Sequence, residues 1–552
     1  MKLKSYYLPA LLGLALLASC KQKEETTAAT VNNGPVTADD IKSQIAVLAD
    51  DSLMGRKPFT KGEEKTINYI SSQFKKLGLE PGNNGSYFQD VPMVEATATM
   101  APTMSVNGAK GNFRFNAVKD YVIFTKREVP AIDIKNAPVV FAGYGIVAPE
   151  YHWNDYANLD VKGKVVMVLV NDPGFKSPEH LFKGDTMTYY GRWTYKFEEA
   201  ARQGAAGILV IHQTDPASYG WKVVKNSNTG AKLFLQQPDK HRNRCEIEGW
   251  ITDTAAQKLL ATAGITGDIR DYARKKDFKA VQLGLNMTVG LKNNLKFSMS
   301  HNVIATLKGT ARPDENIIYT AHWDHFGIGT PIKGDSIYNG AVDNASGTAA
   351  LISIAKAYTA LKTKPQRTIV FLSVTGEEQG LLGSEYYATH PVFPLNKTVA
   401  NLNMDALGFF GLTKDIQVTG KGQNELEDEV ATEAGKYGWH TVGDKKPGAG
   451  SYYRSDHFNF AKVGVPALDI NNGEESVDHE AGWAKKQADD YNDNRYHQPS
   501  DSYSPDMNTT GMAQIANIMY NIGLKLANET TFPGWKPGSE FKAIRDKSMG
   551  GK

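Results

Sequence analysis

Four short stretches in the second half of the chain concentrate residue types that bind cations and move protons. They are AHWDH (321–325), GAVDNASG (340–347), TGEEQGLLGS (375–384) and NLNMD (401–405). His322, Asp343, Glu377, Glu378 and Asp405 offer imidazole and carboxylate but no thiolate. Such a set suits zinc at an open catalytic site, with manganese or cobalt as alternatives. Two ions need about four ligands each, so a shared carboxylate and a shared water economise on protein groups. The count closes if Asp343 bridges, His322 and Asp405 complete one ion, and Glu378 with a later histidine completes the other. Glu377 is then left beside the pair, free for proton transfer. Four downstream histidines compete for the last place: His440, His457, His479 and His497.

The elements that must position these groups are short apolar runs. NIIY (316–319) leads to His322, TIVFLSV (368–374) to Glu377 and Glu378, and Val399–Met404 to Asp405. β-Branched and aromatic runs alternating with helix-like segments predict an α/β fold, with a mixed, largely parallel central sheet flanked by helices. In open α/β sheets, functional groups collect beyond the carboxyl ends of the strands. Each stretch alone has a plainer reading. HxD is ordinary loop polarity, a Glu pair is a solvated corner, and Asn344 or Ser346 would cap the apolar helix that follows. Their occurrence together, in order and at strand ends, favours a metal site.

HWD, DNASG, EEQGLLGS, NMD and the later YHQPSD (496–501) resemble the successive motifs of the M28 metallopeptidases, the di-zinc aminopeptidase family. The resemblance is close over about residues 300–525 and looser before them. It implies a zinc-exopeptidase fold, two Zn2+ per chain, and hydrolysis of peptides that carry a free N-terminus. His322, Asp343, Glu378, Asp405 and His497 match the metal ligands, and Glu377 matches the general acid/base. Asp324 matches the carboxylate that orients the first histidine, and Asp501 is placed to orient His497. His457, in YYRSDHF (452–458), is the runner-up for the last ligand. That segment lines the substrate side in the family, which makes Arg454 and Asp456 pocket residues. Tyr496 resembles the oxyanion-binding tyrosine of some relatives, with a packing aromatic as the alternative. The competing functions are a carboxypeptidase, which needs a basic clamp such as Arg454, a single-zinc glutaminyl cyclase, and a non-catalytic binding lipoprotein. The last is disfavoured because all six metal and base positions hold suitable residues.

The rest of the chain sets the context. Its 552 residues allow more than one domain, and 41% apolar with 22% charged residues is ordinary for a globular protein. A net charge of +2 gives no reason to expect nucleic acid as a partner. Residues 1–20 read as a lipoprotein signal: Lys2 and Lys4, an apolar Leu8–Leu17, then Leu17-Ala18-Ser19-Cys20, which resembles a lipobox. An ordinary secretory signal is the alternative. Lipidation of Cys20 implies anchoring in a bacterial cell envelope, with Lys21 arguing against inner-membrane retention, and leaves Cys245 as an unpaired, inert thiol.

Residues 21–36 read as a flexible tether and 37–124 as the N-terminal part of the peptidase domain, with helical patterns at Ile41–Leu48 and Ile67–Leu77. Within the latter, SLMGRKPFTKGEEKT (52–66) reads as a surface turn, or alternatively a substrate-side loop. Residues 125–290 form an insert whose FAGYGI…GKVVMVL…GAAGILVI pattern resembles a protease-associated (PA) domain. Strands are expected there at 139–142, 165–170 and 208–211. Residues 291–530 complete the catalytic domain, and 531–552 read as a polar tail of little consequence.

Overall fold

The computed structural model describes residues 34–550; the targeting segment, Cys20 and most of the expected tether lie outside the described residues. Among the described residues no helix is long and apolar enough to cross a membrane.

The strands Arg367–Val374 and Thr398–Asn403 are buried at every position, and Arg312–His322 is buried from Asn316 onward. A strand covered on both faces needs apolar or β-branched residues at odd and even positions alike, which TIVFLSV supplies. The two faces serve different clusters. Ile317, Tyr319, Ile369 and Phe371 face a large core built with the helices Ala38–Leu48, Gly347–Thr359 and Thr510–Asn528. Ile318, Val370 and Leu372 face the opposite cluster, with Tyr387 and Phe460.

Four parallel strands form the centre of this sheet, in the order Arg367–Val374, Arg312–His322, Thr398–Asn403 and Ala467–Asn472. Antiparallel neighbours flank them: Val303–Leu307 on one side and Asp415–Val418 on the other. The register pairs His322 with Val374, and Thr320 with Asn403. The three strands therefore end level, and His322, Glu377, Glu378 and Asp405 all emerge from one edge.

A 27-residue strand, Val281–Leu307, leaves this sheet and pairs with Phe88–Met100 and then Ala131–Phe141. There a smaller sheet runs Ala131–Phe141, Val165–Leu169, Gly207–His212 and Ile247–Thr252, all parallel, with the helix Trp193–Arg202 packed on it. Tyr121–Phe124 adds antiparallel to its end, and the hairpin Thr103–Asn116 joins through Val281–Leu307. The smaller sheet thus begins before residue 125, and its last strand crosses residue 290 without a break. Cys245 is buried in this unit, and burial pushes its thiol up to about 12.

Two expectations need correction. The 52–66 segment is not a surface turn. Met54, Gly55 and Arg56 all take left-handed backbone angles, and the Arg56 side chain turns inward to 1% exposure. A Cβ on Gly55 would stand 2.6 Å from the Tyr338 carbonyl oxygen, so only glycine fits that approach. The C-terminal residues are equally well packed: Trp535 and Phe541 are buried against Tyr452, Tyr453 and Phe458. Glu540 accepts from the Tyr189 amide (3.0 Å), the Tyr453 hydroxyl (2.8 Å) and Lys183 (2.9 Å), tying this segment to the smaller unit.

Candidate metal centre

The expected groups converge. His322 Nε2 lies 3.3 Å from Asp343 Oδ1 and 3.2 Å from Asp405 Oδ1. His497 Nε2 lies 3.2 Å from Asp343 Oδ2 and 3.3 Å from Glu378 Oε2. Each side thus has three ligand atoms, and Asp343 gives one oxygen to each. Glu377 Oε2 stands 3.9 Å from His322 Nε2, beside the first group.

These separations fit a pair of cations. His322 Nδ1 lies 3.1 Å from the Asp324 carbonyl oxygen, which only accepts, so that nitrogen carries the ring proton. In a neutral ring, Nε2 then aims a lone pair at two carboxylate oxygens, acceptor against acceptor, which a cation between them resolves. Zinc bonds to nitrogen and oxygen of about 2.0 Å put the edges of a tetrahedron at roughly 3.3 Å. The four measured separations match that edge, and an imidazole–carboxylate set without thiolate suits zinc. Burial raises the Glu377 and Glu378 carboxyls well above the usual range. His322 opposes the rise in both, while Asp343 and other neighbouring carboxylates add to it. A concentration of buried negative charge on this scale calls for counter-cations.

A layer of hydrogen bonds holds the ligands from behind. Asn344 caps the helix Gly347–Thr359 by accepting from the Gly347 amide (2.8 Å), and its side-chain amide donates to the Met404 carbonyl (3.0 Å). Capping and site-building are therefore one job: the same side chain ties the Asp343 loop to the Asp405 strand. Ser455 Oγ donates to Asp405 Oδ2 (2.6 Å) and accepts from Asn403 (2.8 Å). Arg56 donates to the carbonyls of Trp323 (2.8 Å), Leu48 (2.8 Å), Gly340 (2.9 Å) and Asn339, gathering the loops that carry His322 and Asp343.

Several roles differ from the sequence-based expectation. The Asp324 carboxylate is 3.8 Å from His322 Nδ1 and instead accepts from the Glu377 amide (3.1 Å); its main-chain carbonyl orients the ring. The Asp501 carboxylate does not hold His497. It accepts from the amides of Val342 (3.0 Å) and Asp343 (3.1 Å) and from the Tyr491 hydroxyl (3.0 Å), fixing the bridging residue's backbone. Asp456 is fully buried rather than lining an open pocket, and accepts from Ser384 Oγ (2.5 Å). Burial pushes its carboxyl up to about 7.

Arg454 is exposed and donates to the Ala449 carbonyl (2.8 Å). Tyr496 stacks on His497 with ring centroids 3.7 Å apart. Partial burial and the carboxylates of Asp343, Glu378, Glu377 and Asp405 raise its phenol, which stays protonated as a donor. His457, the runner-up ligand, is buried with neither ring nitrogen hydrogen-bonded, joins neither group, and has Asp469 3.8 Å from its Nδ1.

Arg56, Ser455 and His325 were missed by sequence reasoning. Only His325 carried a signal, lying three residues after His322 in AHWDH.

Residues 302–522 match the family model described as Peptidase family M28. The chain is 34% identical over 141 residues to the mouse (Mus musculus) aminopeptidase NAALADL1, covering 25% of this chain and 17% of that protein. It is 26% identical over 391 residues to a probable glutamate carboxypeptidase, AMP1, of Arabidopsis thaliana, covering 64% and 50%. The chain thus spans half or less of the length of these curated relatives. Among solved structures, it resembles an aminopeptidase from Aneurinibacillus sp. strain AM-1, with a TM-score of 0.48 and 20% identity over 90% of this chain and 95% of that one. The segment matched by that family model, residues 302–522, is the one that supplies all six converging side chains.

Proposed function

We propose that this protein is a zinc-dependent exopeptidase, an aminopeptidase that removes N-terminal residues from peptides. The observation that carries this reading is one shared carboxylate, Asp343, between two three-residue groups, with Glu377 beside the first. His322, Asp343 and Asp405 would hold one ion, and Asp343, Glu378 and His497 the other. A zinc pair there supplies Lewis acidity toward the scissile carbonyl and acidifies a water.

Glu377 takes the proton of the attacking water and returns it to the leaving amine, the two-way duty of a general base. The Tyr496 hydroxyl is free to donate to the developing oxyanion. The surrounding carboxylates favour a substrate's free amine at this end of the cleft. Glu377→Gln should keep two zinc ions yet lose turnover by about 10²–10⁴-fold, whereas Asp343→Ala should lose metal occupancy. Undiminished hydrolysis of aminoacyl chromogens by Glu377→Gln would overturn this assignment.

A second reading has one specific observation in its favour. Burial and the neighbouring Arg454 guanidinium draw the Arg192 guanidinium down to about 10. Neither arginine has a carboxylate within 4.0 Å among the described residues. Such a pair suits a substrate carboxylate and hence a carboxypeptidase. Comparing N-blocked with C-blocked dipeptides separates the two.

Residues 125–290 act, on this proposal, as a PA-like unit shaping substrate access. The Met187 amide donates to the Pro447 carbonyl (3.1 Å) on the loop that carries Arg454. The protein is further proposed to be anchored in a bacterial envelope through lipid on Cys20; mass spectrometry of the mature N-terminus tests that.

A further inference from the structure

The second histidine of AHWDH takes no part in the metal set assigned above, yet its placement is as constrained as any ligand's. His325 is fully buried, and its Nδ1 lies 2.5 Å from Glu378 Oε1. The other oxygen of that carboxylate, Oε2, is the one that faces His497 Nε2 at 3.3 Å. His325 Nε2 is buried with no hydrogen-bond partner. As a metal ligand Glu378 must be ionised and only accepts, so the Nδ1–Oε1 contact then places the ring proton on Nδ1.

The ring is closely packed. Gly340, at φ +57°, lies so close that a Cβ there would be 2.7 Å from both Cγ and Cδ2 of His325. Phe326 packs edge-on to the ring at a centroid distance of 4.9 Å. The His325 amide donates to the Arg56 carbonyl (3.4 Å), which joins this residue to the buried arginine beneath the site.

We propose that His325 is a positioning residue for Glu378. Its Nδ1–H occupies Oε1, so the carboxylate offers only Oε2 to the ion shared with His497 and Asp343. A carboxylate free to rotate could offer either oxygen or both, and a site held only by the half-exposed His497 loop would lose its geometry. Two histidines three residues apart thus have opposite duties. His322 spends Nδ1 on a main-chain carbonyl and offers Nε2 to metal; His325 spends Nδ1 on a ligand and offers nothing. This inference rests on the two-ion reading above.

The test is zinc binding to the metal-stripped full chain, read by competition with a chelating dye. Wild type should bind two ions. His325→Leu removes the donor and should weaken one of them by about 10–100-fold, the effect expected for loss of a hydrogen bond that orients a ligand. His325→Asn, whose side-chain amide falls near the Nδ1 position, should stay within a few-fold of wild type; His325→Gln, whose amide falls near Nε2, should behave like the leucine variant.

The Asn and Gln pair keeps the test decisive if the leucine variant fails to fold. Wild-type affinity for both ions in His325→Leu or His325→Gln overturns the inference while leaving the two-ion reading intact. Loss of one ion in all three variants, including His325→Asn, overturns it in favour of His325 as a direct ligand. Fewer than two ions on wild type refutes the two-ion reading itself.

Discussion

Replacing Arg56 by methionine should destabilise the protein by about 3–5 kcal/mol, the range for removing one member of a buried ionic network. The guanidinium is 1% exposed and serves four main-chain carbonyls: Trp323 from Nε, Leu48 and Asn339 from Nη1, and Gly340 from Nη2. Methionine approximates the shape and supplies no donor. An orphaned buried acceptor costs about 1–3 kcal/mol, so four of them cost about 4 kcal/mol at the least. An opposing effect is real. Burial pulls the guanidinium down to about 10 in spite of the attraction of Asp501, Asp324, Asp343 and Glu378, so removing the charge relieves part of its desolvation.

The turn has little to fall back on. Met54 and Arg56 are non-glycine residues in the left-handed region, at φ 55° and 52°, a conformation held only while the surrounding contacts enforce it. Arg56→Lys keeps the charge but replaces a planar fork by a point donor, and should recover less than half of the loss. Urea unfolding of the metal-stripped protein, compared at equal slope, reads the difference. A loss below about 1 kcal/mol for Arg56→Met would mean that water or neighbouring amides satisfy those carbonyls, and would refute the reasoning.

Three further outcomes follow from the geometry. Ser455→Ala removes the 2.6 Å hydrogen bond to Asp405 Oδ2 and should weaken zinc on the His322 side by about 10-fold, measured by dye competition, with little change in urea midpoint. Asp501→Asn replaces a carboxylate that accepts from both the Val342 and Asp343 amides by a group with one acceptor. It should cost about 2 kcal/mol in urea unfolding and let metal escape on dialysis.

The third outcome concerns acid stability. Burial would raise the Glu198 carboxyl, but Lys462, 2.8 Å away across the two units, and the Tyr189 hydroxyl outweigh it and hold it at about 2, below its usual 4.5. A depressed carboxyl contributes stability that is fully present above pH 4.5 and lost as pH falls toward 2, here about 3 kcal/mol at most. Glu198→Gln should therefore flatten the acid limb of the stability curve in that window, as followed by thermal unfolding.

The convergence of the candidate ligands was legible in the sequence because most of them sit at the ends of apolar runs, where strand register brings them level. The helix at 38–48 was legible for a similar reason: its apolar periodicity faces one core. Arg56 was not, since nothing in SLMGR distinguishes an arginine that turns inward from one that points to water. The C-terminal segment was misjudged because its anchors, Trp535 and Phe541, are too sparse to show a period, and their partners Tyr452, Tyr453 and Phe458 lie some 80 residues earlier.

By itself the sequence determined which side chains could bind cations, their order, and the buried strands that aim them at one edge. Tertiary structure alone decided which acceptor meets which donor: the Asp324 carbonyl rather than its carboxylate on His322, Asp501 on the Asp343 backbone rather than on His497, and His325 on Glu378. Periodicity is a property of neighbours along the chain and survives in the sequence. Hydrogen-bond pairing across loops depends on angstrom-scale approach between distant segments, and no local pattern encodes it.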